Sequence, residues 1–236
     1  MRPLRGDLPV RGDIGSGETR QFPWHNRQEG GGRMNVILCG VGGNGVVLTT
    51  RIIAEAALRE GTKVRVGEVH GLAMRGGTVV SHLRLGPDAK GVLVPQRKAD
   101  ILLAFEPLEA LRQMKFLKQG AKVILNNEPF VGVDAHLGLS RYPEVCDIIS
   151  QIEKVQDLVD VPATQLALEA GGVVMTNVVM LGTLSASKEL PISRESLIEA
   201  IRSRVPPMMV DANLKAFQLG EKAFKEWEAK KTCPPS

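Results

Sequence analysis

The sequence predicts an α/β fold: a three-layer, Rossmann-like domain with a mostly parallel mixed sheet and helices on both faces. Three observations carry this. Short Val-, Ile- and Leu-rich runs of strand length alternate with helical patterns. A glycine turn, Gly40-Val41-Gly42-Gly43-Asn44-Gly45, separates the first such run from the first helical pattern, the context in which G-x-G-x-x-G carries meaning. The stretch from Ala99 to Asn126 reads as strand, helix, strand, a right-handed crossover between parallel strands.

Asn35–Cys39 is the first strand, apolar enough to be buried on both faces. After the glycine turn, Leu48, Ile52 and Ala56 share a helical face that Ile53 and Ala57 widen. Gly61 ends that helix as a residue able to take the left-handed cap conformation. The glycines admit φ > 0 and a close-approaching neighbour, and the helix start favours an anion such as a phosphate. Two readings of the turn stand side by side: a nucleotide-type phosphate site, or a tight turn packed against another segment or chain.

Thr62–Val69 is β-branched and predicts a second strand, with Glu68 near its end. In a dinucleotide-binding fold an acid there holds the ribose hydroxyls. His70-Gly71-Leu72-Ala73-Met74-Arg75-Gly76-Gly77-Thr78 leads into a third strand, Val79–Leu85. It leaves no room for a helix, so the two strands are expected to run antiparallel. Arg75 beside Gly76-Gly77 places a guanidinium on an open turn, suited to clamping a phosphate or carboxylate or to pairing with a local surface acid. His70 reads either as an acid–base group or, as a lone histidine more often is, as a hydrogen-bonded structural residue, and His82, in the strand, reads as structural.

Ala99–Phe105 is the next strand, and Glu106-Pro107 opens a helix expected to end at Gly120. Asp100 and Glu106 bracket the strand, placed to face the glycine turn. Ala121–Asn126 follows as a strand, then a helix over Tyr142–Val155 and a short strand over Leu158–Val161. Thr164–Ser187 is helical with a break at Gly171-Gly172. Its apolar residues suit a helix buried on most sides, by the chain's own core or by a partner. Ser193 caps a helix to Arg204, and Val210–Lys230 is a last amphipathic helix.

Composition narrows the class. The chain has 236 residues, 43% hydrophobic, enough for one sizeable core. A net charge of +4 and 4% aromatics argue against a nucleic-acid partner. The three cysteines, Cys39, Cys146 and Cys233, form no CxxC pair, which excludes a zinc ribbon or an iron–sulfur site within the chain and suits a reducing compartment. No apolar stretch is long enough to span a bilayer, and the N-terminus lacks a signal-peptide core, so the expected location is the cytoplasm. Residues 1–33 read as a disordered extension, 34–230 as one domain and 231–236 as a flexible tail.

Taken in order, MNVILCGVGGNGVVLTTRIIAEAA, GEVHGLAMRGGTVVSHLRLG, ADILLAFEPLEALR, NVVMLGTLSAS and DANLKAFQLGEKAF resemble the gamma subunit or domain of the 2-oxoacid:ferredoxin oxidoreductases. More narrowly, the chain is similar to the beta subunit of indolepyruvate ferredoxin oxidoreductase. The resemblance spans about residues 34–228 and implies the domain III fold of pyruvate:ferredoxin oxidoreductase. Family members begin near Met34, so residues 1–33 read as a lineage-specific extension or a misassigned start.

The resemblance implies a subunit of a hetero-oligomer that decarboxylates a 2-oxoacid, transfers the acyl group to coenzyme A and passes electrons to ferredoxin. Thiamine diphosphate, Mg and [4Fe-4S] clusters would sit on a larger catalytic partner, since this chain shows neither a cysteine cluster nor a G-D-G…N segment. Gly40, Gly42, Gly43 and Gly45 would then form a phosphate-facing or interface turn. Arg75, Gly76 and Gly77 would approach the substrate or coenzyme A phosphates. No catalytic residue and no metal ligand is assigned. The resemblance implies an aryl pyruvate such as indolepyruvate as the substrate, with the branched-chain, pyruvate and 2-oxoglutarate relatives open as alternatives. The competing readings are a stand-alone NAD(P)-dependent dehydrogenase, which Glu68 favours, an adenylating enzyme, and a nucleotide-sensing regulatory domain.

Overall fold

The computed structural model describes residues 33–71, 76–87, 91–130 and 141–232. Residues 1–32 of the expected extension, Arg75 and Cys233 lie outside them. The elements in chain order are β1 (Met34–Val41), α1 (Val46–Arg59), β2 (Val64–His70), β3 (Thr78–Leu85), β4 (Ala99–Ala104), α2 (Pro107–Gln113), β5 (Leu117–Asn126), α3 (Val145–Glu153), β6 (Asp157–Val161), α4 (Ala163–Ala170), α5 (Thr176–Ala186), α6 (Arg194–Arg204) and α7 (Val210–Thr232).

The six strands form one sheet in the order β2-β3-β1-β4-β5-β6. β1, β4, β5 and β6 pair in parallel, and β3 runs antiparallel to both β1 and β2. The expected mixed, mostly parallel sheet is therefore present. The missing helix before β3 has a consequence for topology: β3 folds back into the place beside β1 that β2 occupies in a plain dinucleotide fold.

Alternation along β1 divides the core. Val36 and Leu38 pack with α1, α4, α5, α6 and α7 on one face, while Ile37 and Cys39 pack with α2 and α3 on the other. α5 is buried on every side by this chain: Asn177 through Leu184 are all buried. Each large apolar side chain there contributes about 1.5–3 kcal/mol before the entropy of ordering it. α5 crosses α7 at two glycines. A Cβ on Gly182 would lie 2.0 Å from the Phe217 carbonyl oxygen, and one on Gly220 would lie 1.9 Å from that of Val179.

Several boundaries differ from expectation. Gly120 does not end a helix. α2 stops at Gln113, a 3-10 turn covers Met114–Phe116, and Gly120 lies inside β5 with φ +68°. It sits where the β4–β5 register jumps from Ala99↔Leu117 to Ile101↔Lys122. The break at Gly171-Gly172 is a full interruption between α4 and α5, both glycines having positive φ. Gly61 ends α1 as expected, at φ +75°, and Ser193 caps α6 by accepting the Ser196 amide at 3.2 Å. α7 continues to Thr232, past the expected domain end. Among the described residues no helix is long and apolar enough to cross a membrane.

Candidate functional site

β1 remains a strand through Gly40 and Val41, so the first glycine of the motif belongs to the sheet. A Cβ there would sit 2.9 Å from Asn44 Oδ1 and 3.1 Å from Phe105 Cβ. The turn proper is tied by Asn44. Its side-chain oxygen accepts the Val41 amide at 2.8 Å, and its own amide donates to the Val41 carbonyl at 3.0 Å. Gly43 is exposed, with φ +110° and open space where a Cβ would be. Gly45 takes the left-handed conformation, φ +78°, as the N-cap of α1, which has no side-chain cap.

The antiparallel pairing of β1 with β3 sets Val41 opposite Thr78. The residues just beyond therefore meet. Gly42 donates its amide to the Gly77 carbonyl at 2.8 Å, and Gly76 donates to the Gly42 carbonyl at 3.3 Å. Gly40, Gly42, Gly43, Gly45, Gly76 and Gly77, distant in sequence, converge at the carboxyl edge of the sheet. Phe130 borders this junction, its ring 3.8 Å from where a Gly76 Cβ would be.

Two buried carboxylates support the junction from the α2 face. Glu106 caps α2 by accepting the Glu109 amide at 2.8 Å, and it also accepts the Phe130 amide and the Tyr142 hydroxyl. Glu109 accepts the Thr78 hydroxyl at 3.0 Å and pairs with Arg112. Burial, then the charges of Glu109 and Glu106, push the Cys39 thiol well above its ordinary value, so it is a neutral core group. Burial and the Glu106 bond likewise push Tyr142 up.

On the α1 face the neighbour is Asn177. It is buried at 3% exposure, and its Nδ2 lies 2.8 Å from where a Gly45 Cβ would stand. Sequence reading missed Asn44, Glu109, Tyr142 and Asn177. Only Asn44, inside the glycine motif, carried a local signal.

Other candidates fall elsewhere. Glu68 is at the register level of Leu38, in mid-strand and two strands from β1, about 10 Å by sheet spacing. Its contact is His70 Nε2 at 3.2 Å. The intervening β3 thus removes the ribose argument for a dinucleotide. Asp100 is at the opposite, amino edge, accepting the Asn35 amide at 2.8 Å and Lys118 Nζ at 2.5 Å. His82 is buried and accepts the Val94 amide at 3.2 Å, a structural role. A hollow of about 630 Å³ lined by Arg97, Lys115, Lys118 and Lys154 also lies at the amino edge, away from the glycine junction. Cys39 is in β1 and Cys146 is exposed on α3, so the two make no cluster-ligand pair.

A mixed sheet with a glycine turn bonded to a second glycine segment defines a Rossmann-like α/β domain. The chain belongs to the pyruvate ferredoxin/flavodoxin oxidoreductase family, whose model matches residues 35–223. It is 44% identical over 194 residues to indolepyruvate oxidoreductase subunit IorB of Thermococcus kodakarensis, covering 81% of this chain and 96% of that one. The fold is that of the keto/oxoacid ferredoxin oxidoreductase gamma subunit from Geobacter sulfurreducens, with TM-score 0.61, 24% identity, and 82% and 99% of the two chains covered. It also matches 31% of a chain of the 2-oxoglutarate:ferredoxin oxidoreductase from Magnetococcus marinus, solved with 2-oxoglutarate, coenzyme A and succinyl-CoA. That match has TM-score 0.63 and 20% identity and covers 82% of this chain.

Proposed function

We propose that this chain is the small subunit of an indolepyruvate-type 2-oxoacid:ferredoxin oxidoreductase and that its glycine junction faces coenzyme A phosphates. The observation that carries the reading is the 44% identity to an indolepyruvate oxidoreductase subunit across nearly that subunit's whole length. Thiamine diphosphate, magnesium and the [4Fe-4S] clusters belong to the larger catalytic subunit. In the overall reaction the carboxylate of the 2-oxoacid leaves as carbon dioxide, the acyl group joins the coenzyme A sulfur, whose thiol proton is released, and two electrons pass to two ferredoxins. This chain's part is to bind and orient. The uncapped start of α1 and the open turn at Gly43 supply backbone donors to a phosphate. Arg75, which directly precedes Gly76 in the sequence, is the candidate cation for that phosphate.

The test is anaerobic co-purification of the tagged chain, then a 2-oxoacid panel with coenzyme A. Recovery of a larger subunit carrying thiamine diphosphate and iron–sulfur clusters, with preference for indolepyruvate, is the expected result. Recovery of the chain alone, binding NAD or ATP tightly, would overturn it. Arg75→Ala in the assembled complex is expected to raise KM for coenzyme A, and unchanged saturation would remove Arg75 from the site.

A further inference from the structure

We propose that Asn177 is a phosphate-binding donor: its side-chain Nδ2 and the first amides of α1 together form a site for a phosphoryl oxygen. This rests on the reading of the glycine junction as facing phosphate, and it names the residue that receives the anion.

The helix supplies the first half. α1 is 14 residues long, and its first turn bond runs from the Thr49 amide to the Gly45 carbonyl at 2.9 Å. The amides of Val46, Val47 and Leu48 precede that bond, and no side chain caps them. The Thr49 and Thr50 hydroxyls do not help, since they bond back to the Gly45 and Val46 carbonyls at 3.0 and 2.9 Å.

Asn177 supplies the second half. It lies in the first turn of α5, which continues directly from a 3-10 turn over Val173–Met175, and its side chain packs against Gly45 at the start of α1. Nδ2 is buried and has no hydrogen-bond partner among the described residues. A buried amide left without an acceptor destabilises the fold, and such groups in native proteins normally have a partner. An anion oxygen at the start of α1 is the acceptor that fits. Gly45 leaves the space that Nδ2 fills, and Gly43 leaves the turn open to the ligand.

The charges are sorted in the same sense. Glu106 and Glu109 are on the α2 face, where Cys39 points, whereas the uncapped start of α1 and Asn177 are on the α1 face, where Leu38 points. An anion on the α1 face has the sheet between it and the two carboxylates.

The test is an NMR titration of the full isotope-labelled chain with inorganic pyrophosphate at constant ionic strength. Saturable shifts at the Asn177 side-chain amide and at Val46, Val47 and Leu48 are expected. Asn177→Asp, which replaces the donor by an anion of the same shape, is expected to weaken binding roughly tenfold or more. Asn177→Ala provides a second variant that also lacks the donor. No saturable shift at these groups, or a well-folded Asn177→Ala chain that binds pyrophosphate as tightly as wild type, would overturn the inference. The coenzyme A KM of the assembled complex decides the functional reading separately. A mapped pyrophosphate site with that KM unchanged in Asn177→Ala would leave this site standing and remove coenzyme A as its ligand.

Discussion

Gly42 and Gly77 are joined amide to carbonyl at 2.8 Å, and this bond couples the glycine turn before α1 to the glycine hairpin before β3. Neither position has a side chain that would hold the two backbones apart. The junction follows from topology. β3 pairs antiparallel with β1 because no helix separates it from β2, and that pairing brings the ends of both motifs to one edge.

Gly45 and Gly61 offer a controlled comparison. Their φ values are nearly equal, +78° and +75°, but a Cβ at Gly61 would meet nothing within 4 Å, whereas one at Gly45 would strike Asn177. Gly61→Ala is expected to cost about 1–2 kcal/mol, the strain of a left-handed Ala. Gly45→Ala adds a clash inside a packed region, about 1–3 kcal/mol more. Thermal melts of both variants check this, and equal losses of Tm would show that Asn177 moves aside freely.

Much of this was legible in the sequence. The strand, glycine turn and helix around Gly40–Gly45 were local patterns, as were the Gly61 cap and the Ser193 cap. What was not legible depended on contacts between distant residues. Glu68 looked like a ribose ligand because a sequence does not show that β3 lies between β2 and β1. Asn177 looked like part of an apolar helix because its partner, Gly45, is far off in the chain. Gly120 reads as a helix end on local grounds, yet it serves a register jump in β5 that only strand pairing reveals.

The α5–α7 crossing predicts a severe effect from a single methyl group. A Gly220 Cβ would lie 1.9 Å from the Val179 carbonyl oxygen, and the buried Thr183 hydroxyl is shared between the Val179 and Gly220 carbonyls at 3.1 Å each. The obstacle is backbone, so the helices must separate. Gly220→Ala is expected to cost about 3 kcal/mol or more, read as a lower urea midpoint. A midpoint close to wild type would mean that the two helices are less tightly apposed.

Glu55 links α1 to α6 and sets an acid limb. The Ser203 hydroxyl, with Arg59 and Arg204, holds its carboxyl at about 2 against a burial effect that raises it. A depressed carboxyl contributes stability above its unfolded value, and that stability is lost as pH falls. The loss should therefore run from about 4.5 down to about 2. Glu55→Gln is expected to flatten the stability slope over that window and leave neutral-pH folding intact. An unchanged slope would assign the acid limb to other groups.

Tyr142 sets the alkaline limb, and it is the only tyrosine in the chain, so phenolate absorbance reports it alone. Burial comes first among the causes that raise it, followed by its hydrogen bond to the Glu106 carboxylate, which the neutral phenol donates and the phenolate loses. A raised folded value contributes stability that is fully present below the unfolded value of 10 and is lost as pH rises beyond it. The folded chain is expected to show no phenolate at pH 10, with ionisation and loss of structure arriving together above it. Glu106→Gln removes the negative charge but not the burial, so Tyr142 should ionise at lower pH while remaining above 10. A wild-type titration centred at 10 would refute the half-buried Tyr142–Glu106 bond. Because the same carboxylate caps α2 and holds the Phe130 amide, Glu106→Gln also weakens the brace behind the glycine junction.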